Sequence, residues 1–172
     1  MNKYTCIINS ILLLLISTQT NAYFFGNDHQ DFSNSGLKGF QTVAVNIDPP
    51  VGHYYSDIHR YGVTKAALQK QVTKRLQEAG INVISFEEAL EDPAAALIEL
   101  KLRVVFDYYY SIGLNLSVKR KAPLTQDGSA YYSVKTWSEG QVGGVMQTEL
   151  PKIYTYTSQL LDNLIAAYQA QN

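Results

Sequence analysis

Residues 52–62, GHYYSDIHRYG, bring His53, Asp57 and His59 close together in the chain. Two imidazoles and a carboxylate are donors that hold zinc or copper, and a loop can wrap such an ion. The position would also suit a ligand if the segment follows a parallel strand, because crevices form at the carboxyl ends of such strands. Two features weaken this reading. His-x3-Asp-x-His has neither helical nor tight-turn spacing, and Tyr54, Tyr55 and Tyr61 suit a loop that packs on itself. The three residues are therefore a weak metal candidate, and no cofactor is expected.

Other reactive constellations are poorer still. No serine stands in a Gly-x-Ser-x-Gly elbow. The carboxylates Glu87-Glu88 and Glu91-Asp92 fall in what reads as an exposed turn, where they are solvated. Gly140, Gly143 and Gly144 make no phosphate loop, since neither a lysine nor a helix cap follows at the required spacing. Cys6 is the single cysteine. It precedes an apolar run that is expected to be removed, which would leave no thiol for a disulfide, a zinc site or a nucleophile. An enzyme is not expected.

Tyrosine is the compositional oddity, with 13 in the chain, beside a single tryptophan. Both side chains offer rigid contact area and a polar tip, which suits binding surfaces. Cross-strand aromatic pairing is the structural alternative. Tyr108 and Tyr109 cannot both be buried if they form a hairpin tip, so they are the better binding candidates. Tyr131, Lys135 and Trp137 are the further binding candidates, expected on an open sheet face that acts together with the hairpin. Trp137 is placed on or beside that face at a strand's end, packing under the glycine segment rather than stacking on a ligand.

The elements that would position these residues are readable. Residues 42–47 alternate as a first strand that Asp48-Pro49-Pro50 should end. Thr64 is a good N-cap, Val63 and Leu68 make a hydrophobic staple, and Leu68, Val72, Leu76 and Ala79 form one apolar stripe ending at Gly80. Residues 81–86 read as a second strand, parallel to the first, and residues 87–93 as a turn or helical stub. From Ile98 to Val118 the even-numbered positions are apolar. The run is too long for one strand, so it predicts a hairpin whose three-residue loop, 107–109, keeps parity by setting Phe106 opposite Tyr110. A fifth strand covers 130–137, and a last helix runs from about 149 to 170 with Pro151 in its first turn. The order is β-α-β-β-β-β-α. The fold expected is an α+β two-layer sandwich with a mixed, mostly antiparallel sheet and both helices on one face. The other face would carry Glu99, Lys101, Arg103, Ser111, Asn115, Ser117, Tyr131, Ser133, Lys135 and Trp137.

The N-terminus reads as an export leader. Lys3 supplies the positive charge, residues 7–16 are apolar but too short to span a bilayer, and Thr20-Asn21-Ala22 ends on a small residue. Cleavage after Ala22 gives residues 1–22 as a signal peptide, 23–38 as a flexible arm and 39–172 as one α+β domain. Loss of Lys3 from 14 basic residues, against 15 acidic ones, leaves a net charge near −2. There is no basic field for nucleic acid, and no later apolar run is long enough to span a membrane. The expected location is periplasmic or secreted.

Three segments, GVTKAALQKQVTKRLQEAGINV, VKTWSEGQVGG and LLDNLIAAYQAQN, resemble a group of small exported bacterial proteins of uncharacterised function. Shared features are a Thr-capped helix with an Ala-Gly-Ile turn, a Thr-Trp-Ser…Gly segment and a last helix ending in tyrosine and asparagine, here Tyr168 and Asn172. Val63 stands where those proteins carry leucine. The layout also resembles, by fold analogy, the N-terminal domain of TolB and the lipopolysaccharide assembly protein LptE. Neither likeness implies an activity. The function expected is non-enzymatic binding in the cell envelope, with another envelope or extracellular protein as partner. A secreted effector-like protein and an unrecognised metal-dependent hydrolase are the alternatives.

Overall fold

The computed structural model describes residues 34–51, 55–123 and 130–172. The expected leader and residues 23–33 lie outside them, as does His53. Five strands form one sheet: β1 (Thr42–Val51), β2 (Asn82–Val83), β3 (Ala96–Phe106), β4 (Tyr110–Pro123) and β5 (Ala130–Val145). Their order across the sheet is β2-β1-β3-β4-β5. β1 is parallel to β2 and β3, while β3-β4-β5 is an antiparallel meander. Among the described residues four α-helices accompany the sheet: α1 (Tyr55–Arg60), α2 (Lys65–Glu78), α3 (Phe86–Glu91) and α4 (Lys152–Gln169). This is an α+β fold with a mixed sheet; the strands and the two long helices follow the expected order β-α-β-β-β-β-α, and the short helices α1 and α3 are inserted into it.

Helix α2 forms for the reasons visible in its sequence. Thr64 Oγ1 accepts from Ala67 N–H at 3.1 Å, and Val63 and Leu68 are both buried. Gly80 takes φ +80°, a conformation that costs glycine nothing, and Ile81 N–H returns to Leu76 C=O. Leu68, Val72 and Leu76 then join the same core as Ile153, Leu160, Leu161 and Leu164 of α4. That core lies on the face to which Ile98, Leu100, Leu102, Ile112, Leu114 and Leu116 point. The two long helices pack side by side over it: Gln71 Nε2 donates to Tyr154 C=O and to Ser158 Oγ, and Arg75 pairs with Asp162. Among the described residues no helix is long and apolar enough to cross a membrane.

One buried group is an internal cost. Thr157 of α4 is 0% exposed and its Oγ1 has no hydrogen-bond partner among the described residues. A buried hydroxyl that forfeits its water without replacement destabilises the fold. Thr157→Val is therefore expected to raise stability by about 1 kcal/mol, read as a higher unfolding midpoint in urea. A midpoint lowered by the substitution would mean that the hydroxyl is satisfied.

Several expectations are corrected. β1 does not stop at Pro49-Pro50 but continues to Val51, with an irregularity between Asp48 and Val51. The prolines are tolerated because β2 pairs only with Thr42 and Val43, so this part of β1 is an edge. The second strand is two residues, not six. Ser85 caps α3 through a reciprocal capping box with Glu88, which turns Phe86 from strand into helix. Helix α3 covers part of the face expected to be bare, where Ala44, Ala89, Ala95 and Leu97 form a second small core. Finally, the described part of the expected flexible arm, residues 34–38, is docked. Asn34–Leu37 form a 3-10 turn and Leu37 is fully buried.

Candidate binding surface

The β3–β4 hairpin has the register its alternation demands. Phe106 lies opposite Tyr110 across the loop 107–109, and their rings are 4.7 Å apart. An odd loop keeps the even-numbered side chains of both strands on the core side. Asp107 N–H donates to Tyr109 C=O at 3.2 Å and closes the loop. Tyr110 is pulled inward, its hydroxyl donating to Asp57 Oδ2 at 2.8 Å. The loop residues have no such place: Tyr108 is 92% exposed and Tyr109 50%. Val105 at 61%, Phe106 at 40% and Met146 at 71% lie beside them. Tyr109 lies over Gly144, where a Cβ would come within 3.0 Å of its ring. The end of the sheet thus gathers exposed apolar and aromatic side chains, with Asp107 in the loop and the Glu149–Lys152 pair beside Met146 as its charges.

Val105 and Met146 are not singled out by the sequence reading. Val105 does give a signal, as an apolar residue at an odd position after the charged odd run Glu99, Lys101 and Arg103 of β3. Met146 follows β5, whose true end the glycines obscure.

Above the patch, the uncovered face is polar and ionic. Strand register sets Asn46, Glu99, Ser117 and Ser138 in one row, and Asp48, Lys101, Asn115 and Gly140 in the next. Glu99 is only 7% exposed although it points to this face. It lies beneath two lysines, with Lys119 Nζ at 2.8 Å and Lys101 Nζ at 3.3 Å from Oε2. Asp48 is 3.5 Å from the same Lys101 ammonium. Glu99 first and Asp48 second hold the Lys101 ammonium above the ordinary lysine range, because both stabilise its charged form. Asn115 Nδ2 donates to Ser138 Oγ at 3.2 Å. Ser117 is 1% exposed, so it offers nothing to a ligand.

Trp137 is not on that face. It is 6% exposed and belongs to the main core under the long helices. Lys135 pairs with Lys119 and Trp137 with Val118, which leaves Thr136 unmatched in a bulge. An extra residue moves the strand into the opposite phase. Lys135 therefore stays on the open face, exposed, while Trp137 two positions later is turned inside. Glu139 and Gln141 follow it inward, accepting from Asn163 and donating to Gln159 of α4. The glycines do not form a loop either. Gly140, Gly143 and Gly144 are inside β5, which runs to Val145 rather than ending at Trp137. Tyr131 pairs with Ala122 through the backbone of β5.

Asp57 and His59 lie in α1, not in a loop. Residues two apart on a helix do not face each other, and Asp57 is held by Tyr110. Among the described residues no group of three His, Cys, Asp or Glu could hold a metal ion. The structure thus brings Tyr108 and Tyr109 together with Val105 and Met146, and separates them from Trp137.

No family model matches the chain, and no curated protein matches it. Solved structures with a similar layout include the dodecamer of a PelC point variant from Paraburkholderia phytofirmans, 14% identical, covering 84% of this chain and 96% of that one at a TM-score of 0.45. The PelC dodecamer from the same organism in a second crystal form is 11% identical, covering 86% and 97% at a TM-score of 0.42. A minor lipoprotein from Acinetobacter baumannii is 12% identical, covering 77% and 91% at a TM-score of 0.30. TM-scores below 0.5 describe loose likenesses of outline.

Proposed function

We propose that this chain is an exported, non-enzymatic binding protein of the bacterial cell envelope, which engages another envelope protein through its hairpin tip. The observation that carries the reading is the exposed set Val105, Phe106, Tyr108, Tyr109 and Met146 at one end of the sheet. Large apolar groups gathered on one surface of a folded domain mark interaction sites, and tyrosines supply contact area at low entropic cost. Arg103, exposed on the adjoining face beside the tip, suits an acidic group at the partner's margin. The leader pattern of Lys3, residues 7–16 and Ala22 supports export.

The test is capture from envelope extract by the tagged wild-type chain and by a Tyr108→Ala/Tyr109→Ala variant. Both side chains are exposed, so the variant should fold with a melting temperature within about 2 °C of wild type. Recovery of the wild-type partner is expected to fall at least about tenfold, the scale of losing contact residues worth about 1–2 kcal/mol. Equal recovery by the two proteins would remove the tip from the binding surface. Fractionation of cells into cytoplasm, periplasm and medium tests export, with retention in the cytoplasm as the contrary result.

A further inference from the structure

We infer that the outer edge of β5 is the contact surface for a second copy of this chain, paired across a two-fold axis. The two edges of the sheet are treated differently. The β1 edge is blunted: Pro49 and Pro50 lie in it, Ile84 N–H donates to Val43 C=O at 2.9 Å and Gln69 Nε2 to Val45 C=O at 2.9 Å. Such devices stop an edge from recruiting another strand. β5 pairs with β4 alone, and no described strand lies beyond it. The 3-10 turn Asn34–Leu37 packs on β5 around Thr136, where Gly36 sits against that residue. From 138 to 145 the strand holds no proline, no lysine and no arginine. Its one charge, Glu139, is 8% exposed and turned under Asn163. A row of backbone groups is thus presented without the usual deterrents.

The occupant is identified by what lies beside that edge. Helix α4 runs antiparallel to β5 on the core side: Gly143 lies under Tyr156, Gln141 bonds to Gln159, and Glu139 to Asn163. The same helix face carries Lys152, Thr155, Gln159, Asn163 and Ala166, all exposed, and its one charge, Lys152, is paired with Glu149 at 2.6 Å. A lone extended peptide would cover the strand edge and leave this stripe in water. A body with a strand edge and a helix at the same spacing covers both, and a second copy turned by a two-fold axis has them. The lengths agree. Eight strand residues and the 18-residue helix each span roughly 27 Å. A patch roughly 27 by 20 Å is about 540 Å² per partner, which just clears the total of about 1,000 Å² that a specific interface needs. With Lys152 neutralised by Glu149, the stripe carries no net charge to oppose self-pairing. An antiparallel β5–β5 ladder centred near Gln141 would fuse two sheets into one and set Thr155 of one copy against Ala166 of the other.

The leaderless full-length chain is expected to sediment as a dimer at about 50 μM, the range where an interface of this size holds. The variants Thr155→Glu/Ala166→Glu and Thr155→Lys/Ala166→Lys each place like charges across the axis. Each should weaken the dimer at least about 100-fold without lowering the melting temperature of the monomer. Mixed in equal amounts, the two variants should form a heterodimer. A monomeric wild-type chain at that concentration would overturn the inference, and so would variants that stay dimeric alone or remain monomeric when mixed. Slow amide exchange over 138–145 in a monomer would assign the edge to another segment of the same chain.

Discussion

Trp137→Ala is expected to lower the stability of the domain by about 3–5 kcal/mol, the range for deleting a buried tryptophan. Unfolding in urea should show this as an earlier midpoint, and thermal unfolding as a fall of roughly 10–20 °C. Against a total of about 5–15 kcal/mol for a typical domain, this is a change that can leave a large unfolded fraction. The magnitude follows from position. Trp137 is 6% exposed, opposite Val118 and inside the cluster formed by the sheet and the two long helices. An indole on the open face would behave differently, because exposed substitutions stay within about 0.5 kcal/mol. A loss below about 1 kcal/mol would return Trp137 to solvent and restore it as a ligand-stacking candidate. The bulge at Thr136 decides between these outcomes, since it alone places Lys135 outside and Trp137 inside.

The sequence shows the parts of this fold whose forces are local. The cap at Thr64, the staple of Val63 on Leu68 and the turn at Gly80 all act within one helix, and each has the geometry its residues favour. The hairpin 96–123 is equally open to reading, because parity alone dictates a three-residue loop between Phe106 and Tyr110. What escapes depends on partners distant in sequence. Nothing near Trp137 announces the bulge, which exists only relative to Lys119 and Val118 of β4. Gly140, Gly143 and Gly144 read as a turn, yet they are strand residues. A Cβ at Gly144 would lie 3.0 Å from the ring of Tyr109, so this glycine serves close approach, while a Cβ at Gly143 would make ordinary contact with Tyr156 at 3.9 Å. A glycine needed for close approach and one needed for a turn look alike in one dimension. The candidate site divides in the same way. Tyr108 and Tyr109 are legible because a hairpin tip has no interior, whereas Tyr131, Lys135 and Trp137 are grouped by an alternation that the bulge breaks.

Gly36→Ala is expected to cost about 1–3 kcal/mol, the usual cost of forcing extra volume into a packed site. The residue has an ordinary negative φ, so the cost is one of space and not of torsion. A Cβ at Gly36 would lie 2.5 Å from Thr136 Cβ, 2.9 Å from Thr136 O and 3.2 Å from Thr136 Cα. Two of these atoms are backbone, so no rotamer change can clear them, and the chain from 36 to 40 must move. That segment is tied down on several sides. Tyr168 donates to Phe40 C=O at 3.0 Å, and Asn172 donates to Leu37 C=O at 3.1 Å and accepts from Gly39 N–H at 2.8 Å. Arg120 donates to Lys38 C=O at 2.8 Å. Thr136, Tyr168 and Asn172 thus clamp this entry segment. Thr136→Gly in the Gly36→Ala background removes the worst contact, so the two changes should couple favourably by about 1 kcal/mol in a double-mutant cycle. If Gly36→Ala unfolds at the wild-type midpoint, the segment is not docked on β5, and the expected free arm extends through residue 38 after all.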